Sequence, residues 1–282
     1  VPVDHRHRRR PDALAARLAE LDDLGDEATP IAVVATAGTT DFGTVDPLPR
    51  IAELTRRRGV WLHVDAAYGY GALFSDRMAP LVEGLERADS ITLDLHKIGW
   101  QPAAASAVLL RDRAGFAPLE RQVAYLNPVD DAAAGYDGLL GRSLQTTRRA
   151  DAVKIAATFL AHGRAGLAAM IETCHDLARC AQRRIVAEPA LDLVSPAELS
   201  TVVFRYRGSR PGADSALNAG LRRRLLRSGG PLVGRTEVRL DGPARAASVC
   251  LKLTLLNPTA RPEDIDELID AVLAAGHDEE TS

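Results

Sequence analysis

Short apolar runs alternate with helical segments over the first part of the chain, and this alternation constrains the fold more than any single motif. The runs are Ile31-Ala-Val-Val-Ala-Thr36, Val60-Trp-Leu-His-Val64, the stretch around Ile91 and Leu93, and Ala105 to Leu110. Before the first lies a segment over 11–24 with Pro11 in its first turn, Leu14, Leu18 and Leu21 on one face and Gly25 as its stop. Between the first two, Asp46 and Pro47 read as N-cap and first residue of a second helix. Leu48 and Ile51 face inward there, Arg56, Arg57 and Arg58 lie at the negative end of the dipole, and Gly59 ends it. A third helix is expected around 80–88. Strands and helices in this order predict βαβ units and a mainly parallel sheet. Ligands bind such a sheet beyond the carboxyl ends of its strands. Thr36, Asp65 and the His96-Lys97 pair each stand at that end of an expected strand, on one rim.

The pattern changes after residue 112. Residues 113–147, with Asn127-Pro128 and the Gly135-Tyr-Asp-Gly138 stretch, read as a long loop, which is usually functional or mobile. A helical region over 149–187 follows, broken near Gly163–Gly166, with Leu167, Ile171, Cys174, Ala178 and Ala181 as a buried stripe. Thr201–Tyr206 reads as a strand, 213–227 as a helix stopping at Gly229-Gly230, and Leu251–Leu255 as a strand with one apolar face. A last helix over 262–275 carries Ile265, Leu268, Ile269, Val272 and Leu273 and is expected to end at Gly276. The expected class is α/β, with a mainly parallel sheet in 1–147 and a smaller α+β domain in 148–282 that includes the linking long helix.

Composition excludes several functions. A net charge of −3 supplies no field for nucleic acid or an anionic membrane. The basic run His5–Arg10 has no interleaved aromatics and reads as a solvated loop. The longest nearly apolar run, Ala103 to Leu110, is far short of the roughly 18 residues that a membrane span needs. Three cysteines without metal spacing fit a reducing, cytoplasmic setting. No G-x-G-x-x-G, P-loop, H-E-x-x-H or G-x-S-x-G motif is present, and no metal site is expected.

Only three lysines, at 97, 154 and 252, stand among the 35 basic residues. A lysine at the end of a buried strand is costly unless paired, and desolvation would favour the neutral amine that attacks carbonyls. Its stem could equally pack while the head reaches water. Pyridoxal phosphate needs such a lysine for a Schiff base and a carboxylate against its pyridine nitrogen, so that the ring can accept electrons. Asp65, followed by two alanines that let a flat ring lie close, fits the second role. It could also cap the next helix, and His63 and His96 could be satisfied core histidines.

The segments Ala35-Thr-Ala-Gly-Thr-Thr40, His63-Val-Asp-Ala-Ala-Tyr-Gly69, Asp94-Leu-His-Lys97 with Trp100-Gln-Pro102, and Leu256-Asn-Pro-Thr259 together resemble the group II pyridoxal-phosphate-dependent amino-acid decarboxylases. The resemblance implies a fold-type I, transferase-like architecture with a partial large domain, and a homodimer with its site at the subunit interface. It implies that Lys97 carries the cofactor, Asp65 pairs with the pyridine nitrogen, His96 lies near the phosphate, Ala67 lies against the ring and Thr36 is close to it. Tyr136, with Tyr125 as the alternative, is the implied proton donor on a mobile loop. Ala124-Tyr-Leu-Asn-Pro128, Ser143–Arg148 and Leu251–Pro258 look most like the bacterial 2,4-diaminobutyrate or siderophore-type branch, which implies a diamino acid such as 2,4-diaminobutyrate, ornithine or lysine.

The same resemblance implies a departure. Members are longer, and neither the glycine-containing phosphate loop nor the ring-stacking histidine is found in these 282 residues. The expectation is therefore an N-terminally truncated chain. A non-catalytic remnant that acts through protein association is the alternative reading.

Overall fold

Two sheets, joined by one long helix, organise the chain. The computed structural model describes residues 1–121, 123, 125–136, 138–209, 214–240 and 247–281. Ala124 of the motif at 124–128 and Ala213 at the start of an expected helix lie outside them.

Helix α1 (Pro11–Asp23) starts on a proline and buries Leu14 and Leu18. Strand β1 (Ala32–Thr36) leads to α2 (Leu48–Arg56), which buries Leu48, Ile51, Ala52 and Thr55 on one stripe. Asp46 is not the cap of α2. Its buried carboxylate instead accepts the backbone N–H groups of Arg9 (2.7 Å) and Thr36 (3.0 Å), tying the N-terminal segment to β1. The basic run is correspondingly held in place: Arg6 pairs with Glu198 and Arg8 with Asp4, and the His7 ring stacks on Phe42 with centroids 3.7 Å apart.

Strands β2 (Trp61–Asp65), β3 (Ser90–Asp94) and β4 (Ser106–Leu110) complete the first sheet in the order β1-β2-β3-β4. The first three run parallel and β4 is antiparallel. Between β2 and β3 the expected helix at 80–88 is replaced by short 3₁₀ turns, Ala79–Val82 and Leu85–Arg87. Pro80 has no N–H to continue a ladder, and left-handed Gly84 separates the two turns. The helices cover one face, with Val33, Ala35, Leu62 and Val64 in the core. On the other face Val34, Trp61 and Val108 are 49%, 40% and 48% exposed. Parallel sheets are ordinarily covered on both sides, so this face is unusually open.

The segment after β4 carries a 3₁₀ turn (Arg113–Leu119), the five-residue helix α3 (Val129–Ala133) and otherwise irregular backbone. Helix α4 (Asp151–Val186) follows. It breaks at Gly163, where φ is 61° and ψ is −177°. Beyond the break Ile171 joins the first core, while Leu177, Ala178, Ala181 and Ile185 join the second. The helix thus belongs to both halves.

The second sheet is antiparallel, in the order β5-β6-β8-β7, from β5 (Leu191–Glu198), β6 (Thr201–Tyr206), β7 (Gly234–Val238) and β8 (Ser248–Thr254). Helices α5 (Asp214–Ser228) and α6 (Pro262–Glu280) cover it. Sequence reading missed β5 and β7. Both are edge strands; β5 contains Pro196 and two register shifts, and β7 reads Gly-Arg-Thr-Glu-Val. An edge tolerates proline and polar residues that a central strand rejects. Nor does α6 stop at Gly276. That glycine leaves room for the Tyr206 ring, whose carbons would lie 2.4 Å from an added Cβ. Cys174 and Cys250 are buried free thiols that fill the core; burial pushes each up to about 11, against a small lowering from Arg205 at Cys250. No helix among the described residues is long and apolar enough to cross a membrane.

Candidate functional site

Parallel register places Thr36 beside Asp65 at the carboxyl ends of β1 and β2, with Thr92, midway along β3, on the other side of Asp65. Just past those ends lies a cavity of about 280 Å³. Thr36, Gly38, Thr39 and Thr40 line it from the β1 side, Asp65, Ala67 and Tyr68 from β2, and Lys97 from the turn after β3. Thr201, Lys252, Thr254 and Leu256 close it from the second sheet. Four of the five sequence-predicted cofactor residues, Thr36, Asp65, Ala67 and Lys97, therefore meet in one place.

Lys97 owes its position to its neighbours. The turn folds back on itself through Lys97 N–H to Asp94 O at 2.9 Å and Gln101 N–H to Leu95 O at 3.0 Å. Leu95 and Ile98 are buried on either side. Trp100 Nε1 donates to Leu256 O at 2.7 Å, joining two of the motifs that carry the resemblance. The lysine itself is not buried. Its side chain is 44% exposed and its Nζ lies 2.9 Å from Asp94 Oδ2. Of the two readings the sequence left open, a desolvated amine and a head that reaches water, the structure shows the second, with the head paired to Asp94, because the apolar neighbours take the interior positions.

Asp65 is exposed toward the cavity, and its Oδ1 accepts the Ala67 N–H at 3.0 Å, a local turn that fixes the carboxylate. His96 is adjacent to Lys97 but does not line the cavity; its Nδ1 lies 3.0 Å from Ala105 O. His63 shares Ser90 Oγ at 2.8 Å with the indole Nε1 of Trp61, also at 2.8 Å. Tyr136 and Tyr125 are 76% and 84% exposed, and neither lines the Lys97 cavity. Tyr136 lies along a separate groove with Phe116 and Arg142.

Sequence reading missed Lys252 and Tyr68. Lys252 is mostly enclosed, with Nζ 3.1 Å from both Thr40 O and Asp41 Oδ1. The signal was the alternation Leu251-Lys-Leu-Thr-Leu255: its apolar face was read, but the polar face, Lys252 and Thr254, is the one that lines the cavity. The Tyr68 hydroxyl bonds Ser200 Oγ and accepts from Thr201 Oγ1 at 3.3 Å, pinning the β2 loop to the second sheet. Burial pushes its pKa up, so it remains a neutral phenol. Tyr68→Phe is expected to cost about 1–2 kcal/mol in urea unfolding, since it leaves buried hydroxyls short of a partner; an unchanged midpoint would show that this link is dispensable.

An α/β sheet here presents a lysine amine, a strand-end carboxylate and several hydroxyls around one small cavity, at the end of the strands where such sheets bind ligands. Residues 1–207 match the pyridoxal-dependent decarboxylase conserved domain, and the chain belongs to that family. It is 44% identical to the L-2,4-diaminobutyrate decarboxylase of Rhizobium meliloti (strain 1021), over all of this chain and 55% of that protein. It is 34% identical to the enzyme of the same name from Acinetobacter baumannii, over 97% of this chain and 52% of that one. The crystal structure of the glutamate decarboxylase domain of diaminobutyrate-pyruvate transaminase and L-2,4-diaminobutyrate decarboxylase from Vibrio parahaemolyticus superposes with a TM-score of 0.80 at 28% identity, covering 99% of this chain and 53% of that one. The chain spans about half the length of the curated relatives it matches. The family's cofactor is pyridoxal 5′-phosphate, and the donor set around the cavity fits it: an amine for its aldehyde, a carboxylate for its ring nitrogen and small or hydroxylic side chains between them.

Proposed function

We propose that this chain carries the cofactor lysine of a decarboxylase that converts an L-diamino acid, such as 2,4-diaminobutyrate, ornithine or lysine, to its amine and carbon dioxide. The observation that carries this reading is the meeting of Lys97 and Asp65 in one cavity. Bound pyridoxal phosphate supplies an electron sink for the pair released when the α-carboxylate leaves.

The chain's own residues divide the remaining work. Lys97 offers the amine that holds the aldehyde. Asp65 holds a proton on the ring nitrogen through a charge-assisted hydrogen bond worth about 1.5–3 kcal/mol, and each 1.36 kcal/mol gained in the transition state is about tenfold in rate. Ala67 would leave space for a flat ring and Thr36 would border it, while His96, outside the cavity with its ring on Ala105 O, would have to turn to reach the phosphate. Lys252, a cation on the opposite wall, is placed to meet an anionic group of cofactor or substrate. Tyr136 is the proposed source of the proton returned to Cα, and its exposed loop must move to deliver it. The reading includes a division into a cofactor-binding portion, 1–147, and a small domain, 148–282. It also includes a homodimer with the site at the interface, which light scattering tests. The two diaminobutyrate decarboxylases among the relatives support the substrate class.

The decisive experiment incubates the chain with pyridoxal phosphate, reduces with borohydride and maps the pyridoxyl group by peptide mass spectrometry. The expected label is on Lys97, with Lys154 and Lys252 unmodified. Label spread evenly over the three lysines, or none, would favour the non-catalytic remnant. Carbon dioxide release from 2,4-diaminobutyrate, without keto-acid formation, separates decarboxylation from amino transfer.

A further inference from the structure

The amine of Lys97 is already engaged in this fold. Asp94, three residues back across the turn, accepts from its Nζ at 2.9 Å. Asp94 is steadied from the neighbouring strand, where Ser106 Oγ donates to Oδ1 at 2.6 Å. His96 Nε2 stands 3.8 Å from the same oxygen that Lys97 uses. Partial burial pushes the Asp94 carboxyl up, but the hydrogen bonds from Lys97 and Ser106 outweigh it, and its pKa lies below the ordinary value. The carboxylate is therefore charged at neutral pH. The buried Tyr70 hydroxyl, without a hydrogen-bond partner among the described residues, also feels this charge. Asp65 and Lys252 face the same cavity from β2 and β8.

An ammonium held by a carboxylate has no lone pair to offer. Before Lys97 condenses with an aldehyde, the pair must open and the ammonium must give a proton to solvent. Nζ then bonds the carbonyl carbon, and the carbonyl oxygen leaves as water. We propose that Asp94 is a positioning residue that holds Lys97 in the cofactor-free chain and limits how fast its amine becomes available. The functional meaning of this hold rests on Lys97 being the cofactor lysine, but its test does not.

The full chain, without cofactor, is treated with acetic anhydride at fixed pH and the acetylation of each lysine is followed by peptide mass spectrometry. Nζ bonds the acyl carbon, acetate leaves, and the proton goes to solvent. Lys97 is expected to react about three- to fivefold faster in Asp94→Asn than in the wild type, the ratio that a partly exposed ion pair supports. Lys154 and Lys252, paired with Asp151 and Asp41, serve as internal references and keep their rates. Added salt screens the pair, so it should speed Lys97 in the wild type but not in Asp94→Asn, and Asp94→Glu should restore the slow, salt-sensitive reaction. Equal Lys97 rates in wild type and Asp94→Asn, or a wild-type rate indifferent to salt, would overturn the proposal. Should Asp94→Asn fail to fold by circular dichroism, the wild-type salt dependence and a faster Lys97 in Ser106→Ala decide it. A chain whose Lys97 never forms a pyridoxyl adduct still reports on Asp94 in this assay, so the two failures are separable.

Discussion

Replacing Lys97 with alanine is expected to leave the chain folded and unable to hold pyridoxal phosphate covalently. The side chain is 44% exposed and packs into neither core, so its removal opens no cavity. Stability should change by no more than about 0.5 kcal/mol, the usual range for surface substitutions. The chemical consequence is out of proportion to that. Lys252, the other lysine at the cavity, is held by Asp41 and Thr40 and is not expected to take over. The borohydride-trapped pyridoxyl mass should fall from one group per chain to none. In a decarboxylating form of the protein, carbon dioxide release should fall by about three orders of magnitude or more, as when a covalent nucleophile is removed. An Lys97→Ala chain that traps the cofactor as well as wild type would end the reading of this site.

The second large effect is structural. Gly69→Ala should destabilise the chain by about 3 kcal/mol, the upper part of the range for forcing atoms into a packed site. An added Cβ would lie 2.4 Å from Ala37 O and 2.7 Å from Ala37 C, both backbone atoms that cannot rotate away. Gly69 N–H also donates to that same carbonyl at 2.9 Å. The contact joins the loop after β2 to the loop after β1, and Gly38, which lines the cavity, sits against Gly69 on the facing side, with φ +90°. The variant should therefore lose cofactor affinity as well as unfold at lower urea. A shift under about 0.5 kcal/mol would mean that the two loops part without strain.

Those two loops were legible in the sequence, and the reason is local. A short apolar run of about five residues, followed by a polar residue and a break, specifies a strand and its carboxyl end without reference to the rest of the chain. Thr36, Asp65 and Lys97 could therefore be assigned to one rim before any coordinate was known. The break in α4 at Gly163 and the buried stripe beyond it were legible for the same reason. The helix expected at 80–88 gives way to two 3₁₀ turns because Pro80 lacks an N–H and Gly84 between them is left-handed. Strands β5 and β7 were missed because Pro196 with its register shifts and the polar run Gly-Arg-Thr-Glu-Val break the apolar pattern, which an edge tolerates once a partner strand is paired alongside.

What the sequence alone determined is the class of fold, the strands of the first sheet and the meeting of Thr36, Asp65 and Lys97 at their ends. Tertiary structure decided how those residues behave. Leu95 and Ile98 claim the interior and leave Lys97 exposed; Asp94 and Ser106 hold its charge; Lys252, from a strand more than a hundred residues away, closes the cavity opposite it. Neighbouring residues encode periodicity, whereas exposure and ion pairing are set by whichever distant groups the fold brings alongside.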